Sequence, residues 1–380
     1  MIKKFNPLVF LASLGAGGIA VMPFVLMQYT IKHGAGLITR SQLWNNNFSG
    51  ITVLYYNFLE LVMIAFSLIH FVLTFWFVYK LIKWLNTEDF KELMGNPLKN
   101  SAIMAPFISI LMTMNLFIGP IRYFFPAMSD NFQGLFLPAM LFWSFLFVAV
   151  MLMEIYLLGI SFKKSFDVDK INFGWLLHPF ALGMLSTVGT GIAAMAQDAN
   201  IANSAAFMSM ISISMGVFLL LVKLIAIFKS HFASSGLPEK NFLPSFLIII
   251  PNITLFAISF FRLGHFLERQ HGFHLGAYFY LVIGLSFAFE IWYFAFGIFL
   301  LFDYFKKNHF KEFYITQWGL ICPLVAFVVL GGFFYSVVLA SPILYAMLVI
   351  TMLLAIFFYF ELLVKHIRCF KKTNELNCEL

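Results

Sequence analysis

"QWGLICPLVAFVVLGGFF", residues 317–334, carries the feature from which the fold can be worked out. The stretch is apolar enough to cross a membrane, yet Pro323 interrupts it directly after Cys322. A proline inside an α-helix lacks one backbone donor and collides with the carbonyl four residues earlier, at a cost of about 3 kcal/mol. The stretch therefore predicts a membrane-spanning helix with a break well inside it.

The same break recurs along the chain at a nearly constant period. Pro106, Pro179, Pro251 and Pro323 are separated by 73, 72 and 72 residues, and Pro7 is a plausible fifth member at a larger offset. Such a period indicates a repeated supersecondary unit, here a helical hairpin used five times. The predicted hairpins cover about 7–83, 101–162, 174–229, 243–303 and 316–365 of a single transmembrane domain, 1–380, with 366–380 as a cytoplasmic tail.

The composition places the chain in a membrane. Of 380 residues, 62% are hydrophobic, 11% are charged and 51 are Phe. Ten apolar stretches are long enough to span a bilayer. They lack the alternating polarity of barrel strands, so they are predicted to be helices and the fold to be all-α.

The net charge of +7 reflects topology rather than nucleic-acid binding. Of the 24 Lys and Arg residues, 19 lie in or beside alternate segments, beginning with the N-terminal tail and ending with the C-terminal one. This is the distribution of the positive-inside rule. It predicts a multi-pass membrane protein with both termini in the cytoplasm and no nucleic-acid partner.

The two helices of each hairpin differ in composition. Eight of the 13 prolines and most glycine clusters fall in the first, odd-numbered helices. Broken helices are tolerated at membrane depth where protein or a water-filled cavity surrounds them. We expect five kinked helices in quasi-fivefold arrangement around a central pore, backed by five straighter ones. The alternative is that small residues and prolines serve helix packing alone.

This pattern resembles the tellurite-resistance/dicarboxylate transporter family, which includes the plant slow anion channels. Members have ten helices in five hairpins and a ninth helix with a Trp-rich start followed by Phe-Pro, the Phe closing the pore. Trp318 precedes Pro323 by the same five residues, but Cys322 stands where the Phe would be. The chain is also similar to a bacterial branch called TsoY-like. The resemblance implies a homotrimer in the lipid bilayer, with one pore per subunit for monovalent anions, small organic acids or sulfite.

Residues at the prolines are the predicted pore and gate. His178 could donate to an anion or supply charge, or it could simply be bonded to a carbonyl freed by Pro179. Cys322 could be a pore-facing thiol or a small buried hydrophobe. The full predicted set is Asn6, Pro7, Pro106, Phe107, His178, Pro179, Phe180, Pro251, Cys322 and Pro323.

Two further groups could contact an anion. Ser186, Thr187 and Thr190 are predicted pore hydroxyls, with bonding to their own helix carbonyls as the alternative. Arg122 and Arg262 are predicted to form an outer anion funnel, with anchoring at the membrane interface as the alternative.

The predicted function is transport of a small anion, either channel-like or proton-coupled. Glutamates in the even helices could carry protons, although pairing with Lys223 or between hairpins is the stronger expectation. The main rival is a redox subunit that binds quinone or haem, for which His70 and His178 are the histidines well inside spans. No hydrolase or metal-site motif is present, so we expect no enzyme activity, cofactor or metal.

Overall fold

The structure, a computed structural model, describes residues 5–34, 36–233, 238–370 and 377–379. Within these ranges ten helices are long and apolar enough to cross a membrane, as predicted. Their α-helical parts are α1 (Phe10–Thr30), α2 (Ile51–Trp84), α3 (Met104–Leu116), α4 (Phe136–Lys163), α5 (Leu177–Met195), α6 (Ala199–Ala233), α7 (Ile249–His271), α8 (Gly276–Tyr304), α9 (Ile321–Val337) and α10 (Pro342–Phe370).

Burial separates the helices into two rings. The share of the most apolar segment that is buried runs from 61% to 100% in the odd-numbered spans and from 22% to 39% in the even-numbered ones. The five odd helices contact one another in a closed circle, α1–α3–α5–α7–α9–α1. The predicted arrangement of an inner ring backed by an outer ring is therefore confirmed.

Small residues lie at the points where neighbouring inner helices touch. The hydroxyls of Ser13 and Ser109 are 2.7 Å apart between α1 and α3. Those of Ser186 and Ser259 are 2.9 Å apart between α5 and α7. On α9, Ile321 lies so close to α1 that a Cβ at Gly15 would be 3.1 Å from it. The ring is thus tightly packed where these helices touch.

The four periodic prolines occupy one structural position, although not the one expected. Each inner span other than α1 begins as a 3-10 helix of four or six residues and then becomes α-helical (Asn100–Ile103, Phe173–Leu176, Leu243–Ile248 and Ile315–Leu320). Pro106, Pro179, Pro251 and Pro323 are each the third residue of the α-helix that follows. Each α-helix continues directly from its 3-10 segment, and the proline, which lacks an N–H, lies in the first turn after the change, where a missing donor is best tolerated. The interruption therefore lies inside each span, at its change from 3-10 to α-helix, and not as a kink within the α-helical part.

Pro7 does not share this position. It opens a short 3-10 helix, Pro7–Val9, whose first turn is capped by Asn6, and α1 begins only afterwards. Because Ser13 faces Ser109, Phe10 rather than Pro7 is level with Pro106. Its expected membership of the periodic set is therefore incorrect.

Short connections complete the chain. A helix at Arg40–Trp44 is fixed to α2 by Glu60, whose carboxylate accepts from Arg40, Trp44 and Tyr123. The hydrogen bond from Arg40 itself to Glu60 raises the pKa of Arg40 above its usual value. Two strands, β1 (Glu312–Tyr314) and β2 (Asn377–Glu379), pair in parallel. Helix α10 continues into the segment predicted as the tail, of which residues 371–376 and 380 lie outside the described part.

Candidate functional site

Two cavities lie within the ring of inner helices, one towards each end. The upper cavity, of about 830 Å³, is lined by residues of α1, α3, α5, α7 and α9 and by Gly36 and Leu37 of the loop after α1. The lower cavity, of about 850 Å³, is lined mainly by the 3-10 segments and the loops that lead into the same five helices. Both are therefore enclosed by all five hairpins.

A thin layer separates the two cavities. On four of the five inner helices, the last residue facing the lower cavity and the first facing the upper one are three positions apart. These pairs are Leu11 and Leu14, Leu177 and Phe180, Ile248 and Pro251, and Gly319 and Cys322. Three residues of α-helix rise by about 4.5 Å. We call this zone the junction layer, because it coincides with the change from 3-10 to α-helix.

Helix α3 closes the fifth side of the junction layer. Its residues facing the two cavities end at Ala102 below and resume at Met112 above. Ile108 lies between them on the same helical face, seven residues after Ser101 and four before Met112, and it is fully buried. The layer is thus made of apolar side chains and glycine, the composition of a constriction that excludes water.

The predicted pore and gate residues separate into two groups. Cys322, Phe180 and Pro251 face the upper cavity at the junction layer, and Asn6 faces the lower cavity. Cys322 is a free thiol with only 6% of its surface exposed. The remaining predicted residues line neither cavity; they are Pro7, Pro106, Phe107, His178, Pro179 and Pro323.

His178 points away from the axis, towards the outer ring. Its Nδ1 donates to the carboxylate of Glu154 on α4 at 2.7 Å, and both side chains are buried. Lys223 on α6 interacts electrostatically with the same carboxylate, and its ammonium lies 4.5 Å from the centre of the Trp175 ring. The three charged or polar groups form a buried cluster between α4, α5 and α6, where the outer hairpin helices meet α5.

The three predicted pore hydroxyls are mainly used within the helices. Ser186 donates to the carbonyl of Gly183, Thr190 to that of Ser186, and Thr187 to those of Gly183 and Leu255. Of the three, Thr187 also lines the upper cavity, whereas Ser186 and Thr190 do not. The hydroxyls therefore join α5 to α7, and one of them reaches the axis.

The two predicted funnel arginines have different surroundings. Arg122 is buried and each of its three nitrogens is bonded, because it donates to the carbonyls of Ile118 and Ile38 and to the hydroxyl of Ser129. It does not line the upper cavity. Arg262 does line it, and its Nη1 donates to the carbonyl of Thr187 at 2.7 Å.

Several residues of the upper cavity were missed from the sequence. Arg269 lines its mouth and donates to the carbonyls of Ala193 and Ala196 at the end of α5. Asn115 on α3 and Tyr29 on α1 face the cavity as well. Spacing of three or four residues from a known lining position could have found them, since Arg269 follows Arg262 by seven.

The histidines well inside spans are not arranged for haem. His70 donates from Nδ1 to the carbonyl of Ser13 at 2.7 Å, and its Nε2 is 2.8 Å from the hydroxyl of Thr113. Both nitrogens of its ring are therefore engaged, and His178 is bonded to Glu154. Within the described residues no three His, Cys, Asp or Glu side chains cluster as metal ligands would. The redox alternative has no support.

Comparison with known proteins agrees with this geometry. No curated protein matches the chain. A model of the family described as SLAC1, voltage-dependent anion channel, matches residues 4–367, nearly the whole chain. With ten membrane-spanning helices arranged in two rings around two axial cavities, the protein belongs to the SLAC1 family of anion-transport proteins.

Proposed function

We propose that a small anion crosses the membrane along the axis of the inner ring in each subunit, through the two cavities and the junction layer between them. One observation carries the proposal: both cavities are bounded by all five hairpins and are separated by about one helical turn of apolar side chains. Leu14, Phe180 and Cys322 form the gate in the layer. Movement of these side chains by a few ångströms joins the cavities.

Charge at the two ends favours an anion over a cation. The upper cavity is lined by Arg262 and Arg269 against Glu268, and the lower one by Lys99 and Lys170 against Glu239, so cationic groups outnumber carboxylates at both ends. Cationic groups at the entrances of a low-dielectric path raise the local concentration of anions. Arg262 takes the steering role, whereas Arg122 acts as a structural tie.

The assembly and the location follow the family resemblance and the charge distribution. The even helices expose apolar faces along most of their length, and these faces are available to lipid and to other copies of the chain. We place the protein in the bacterial inner membrane as a homotrimer, with both termini in the cytoplasm. Transport of this kind needs no chemical step, so we assign no enzyme activity.

Reconstitution tests the proposal. Purified protein in liposomes loaded with an anion-sensitive dye, with the membrane potential set by potassium and valinomycin, is exposed to chloride, nitrate, sulfite, thiosulfate and acetate. We expect flux of at least one monovalent anion well above that of protein-free liposomes and no sodium flux under the same gradient. Absence of flux for every anion in the panel, from protein that elutes as a single oligomer, would refute the proposed path.

A further inference from the structure

The upper cavity contains a guanidinium that the protein does not neutralise. Arg262 makes one hydrogen bond, to the carbonyl of Thr187, and no Asp or Glu of the described chain lies within 4 Å of it. Space for the group is left by Gly191, where a Cβ would stand 3.0 Å from Nη1. A guanidinium has five N–H donors, so most of its donors remain available to a ligand.

The other charged groups at this cavity are already matched. Arg269 donates to two carbonyls at the end of α5, where the helix carries a partial negative charge. Glu268 accepts from the backbone of Leu275 at 3.0 Å and lies 3.2 Å from His265. Counting the carboxylate of Glu268 against the guanidiniums of Arg262 and Arg269 leaves the cavity one net positive charge rather than two.

Apolar and aromatic groups form most of the wall around Arg262. The ring of Tyr29 lies 4.3 Å from that of Phe333, which is 5.1 Å from Phe261. Further apolar lining comes from Phe24, Val25, Leu255, Ile258 and Val329. At about 830 Å³ the cavity falls in the size range that holds drug-sized molecules, far more than an inorganic ion fills.

Two polar groups in the wall could complete a ligand's hydrogen bonds. Asn115 and Tyr29 both line the cavity, and neither makes a hydrogen bond to another residue of the described chain. An amide and a phenol can each donate to an oxygen that the guanidinium leaves unsatisfied. They face the axis from α3 and α1, while Arg262 approaches it from α7.

From this combination we propose that the upper cavity is a binding site for a monovalent organic anion, a carboxylate with an apolar body, held at its charged end by Arg262. This inference rests on the proposed anion path and names the class of its substrate. The planar guanidinium matches a carboxylate with two parallel hydrogen bonds. The apolar body is taken out of water by the aromatic wall. A second carboxylate would meet Arg269 already bonded to two carbonyls and the like charge of Glu268, so its desolvation would be poorly offset.

Binding to the purified protein in detergent tests the inference directly. Calorimetric titration with acetate, butyrate, hexanoate, benzoate, succinate and chloride should show affinity rising with apolar size. Full burial contributes about fourfold per added methylene, so hexanoate should bind at least ten times more tightly than acetate, and also more tightly than succinate or chloride. Equal affinity for hexanoate and succinate, or for hexanoate and chloride, would overturn the assignment, and this wild-type series depends on no variant.

Variants of two arginines distinguish a specific binding site from general electrostatic attraction of the anion to the cavity. Arg262→Gln should weaken hexanoate binding at least tenfold, and Arg262→Lys, which keeps the charge without the fork, should fall between it and wild type. Arg269→Gln is the matched control in the same cavity and should lose less than threefold. If Arg269→Gln weakens binding as much as Arg262→Gln, the two residues act as a general field and the site is disproved.

The failure of this inference can be told apart from failure of the transport path. Chloride or nitrate flux in liposomes that hexanoate neither inhibits nor accompanies would leave the anion path standing and remove the organic-anion site. Conversely, tight hexanoate binding in detergent without flux of any anion would support the site and refute the path.

Discussion

At the scale of single residues, the four glutamates within the even helices differ in what faces them. Glu60 is paired with Arg40, Glu154 with His178 and the nearby Lys223, and Glu361 with Lys365 at 2.7 Å. Glu290, fully buried on α8, instead accepts from the hydroxyl of Thr254. Of these pairs, the one between Glu154 and His178 joins two hairpins, whereas Glu361 pairs within its own helix and Glu290 is joined to α7 by a hydroxyl.

We expect substitution of Glu154 and of Glu290 to have unequal effects on stability. Glu154→Gln leaves the ammonium of Lys223 buried without its carboxylate, which costs about 3–5 kcal/mol. Glu290→Gln strands no cation and keeps an acceptor for Thr254, so its cost should stay below about 1 kcal/mol. The midpoint of thermal unfolding in detergent measures both. A larger loss for Glu290→Gln than for Glu154→Gln would contradict the pairing.

Phe180 and Phe107 make a second residue-scale test, because each directly follows one of the periodic prolines. Phe180 faces the upper cavity at the junction layer, whereas Phe107 lines neither cavity. Phe180→Ala should open the layer and raise anion flux in liposomes severalfold, at a cost of about 3–5 kcal/mol in stability. Phe107→Ala is the control and should leave the flux per folded protein unchanged. Equal flux from both variants would place the constriction elsewhere.

At the scale of elements, the change from 3-10 to α-helix predicts the sign of a proline substitution. Pro323 lies in the first turn of α9, where a missing donor costs little, so we expect Pro323→Ala to act mainly by freeing the unfolded chain and to destabilise by about 0.4–1 kcal/mol. A proline in the helix interior would behave oppositely, since its removal relieves up to about 3 kcal/mol.

The chain supplies its own comparison in Pro23, which lies inside α1. Pro23→Ala restores a backbone donor to the carbonyl of Ile19 and should stabilise by about 1 kcal/mol. Thermal unfolding of the two variants side by side gives opposite shifts if the junction is as described. If Pro323→Ala stabilised the protein as well, Pro323 would be shown to cost a helical hydrogen bond in the way that Pro23 does.

The membrane-spanning helices could be predicted from the sequence more readily than the rotation of each helix about its own axis. The ten spans, the two rings and the family resemblance carried by Trp318 and Pro323 are all confirmed, because each depends on hydropathy and spacing along the chain. Which residue faces the axis depends on how each helix turns against its neighbours. His178 and Cys322 both precede a proline, yet Glu154 on α4 draws one outwards while the other lines the cavity.

Hydroxyls and arginines were ambiguous for a related reason. A Ser or Thr in an apolar helix can bond to the carbonyl three or four residues earlier, as Ser186 and Thr190 do, and the surrounding sequence does not distinguish this from a hydroxyl that faces a pore. An arginine at a helix end can satisfy loop carbonyls, as Arg122 does with Ile38, or face the axis, as Arg262 does. The tertiary partner that decides between these outcomes is about 70 to 85 residues away in the chain.

At the scale of the whole molecule, the orientation in the membrane determines from which side an anion reaches each of the two cavities. The upper cavity shares its wall with Gly36 and Leu37, in the loop between α1 and α2, while the lower one is surrounded by the lysine-rich connections. In the proposed orientation, which follows the positive-inside rule, those connections are in the cytoplasm and the site at Arg262 would face the cell exterior.

Two exposed serines on opposite sides test that orientation in intact cells. In a chain from which the three cysteines have been removed, Ser49→Cys lies in the loop beside the upper cavity and Ser165→Cys in the connection between α4 and α5. A membrane-impermeant maleimide should label the first variant in intact cells and the second only after the cells are opened. Both serines are exposed, so accessibility within the protein does not bias the comparison. The reverse labelling pattern would show the opposite orientation, in which Arg262 receives its anion from the cytoplasm. The measurement therefore determines from which side of the membrane the upper cavity is filled.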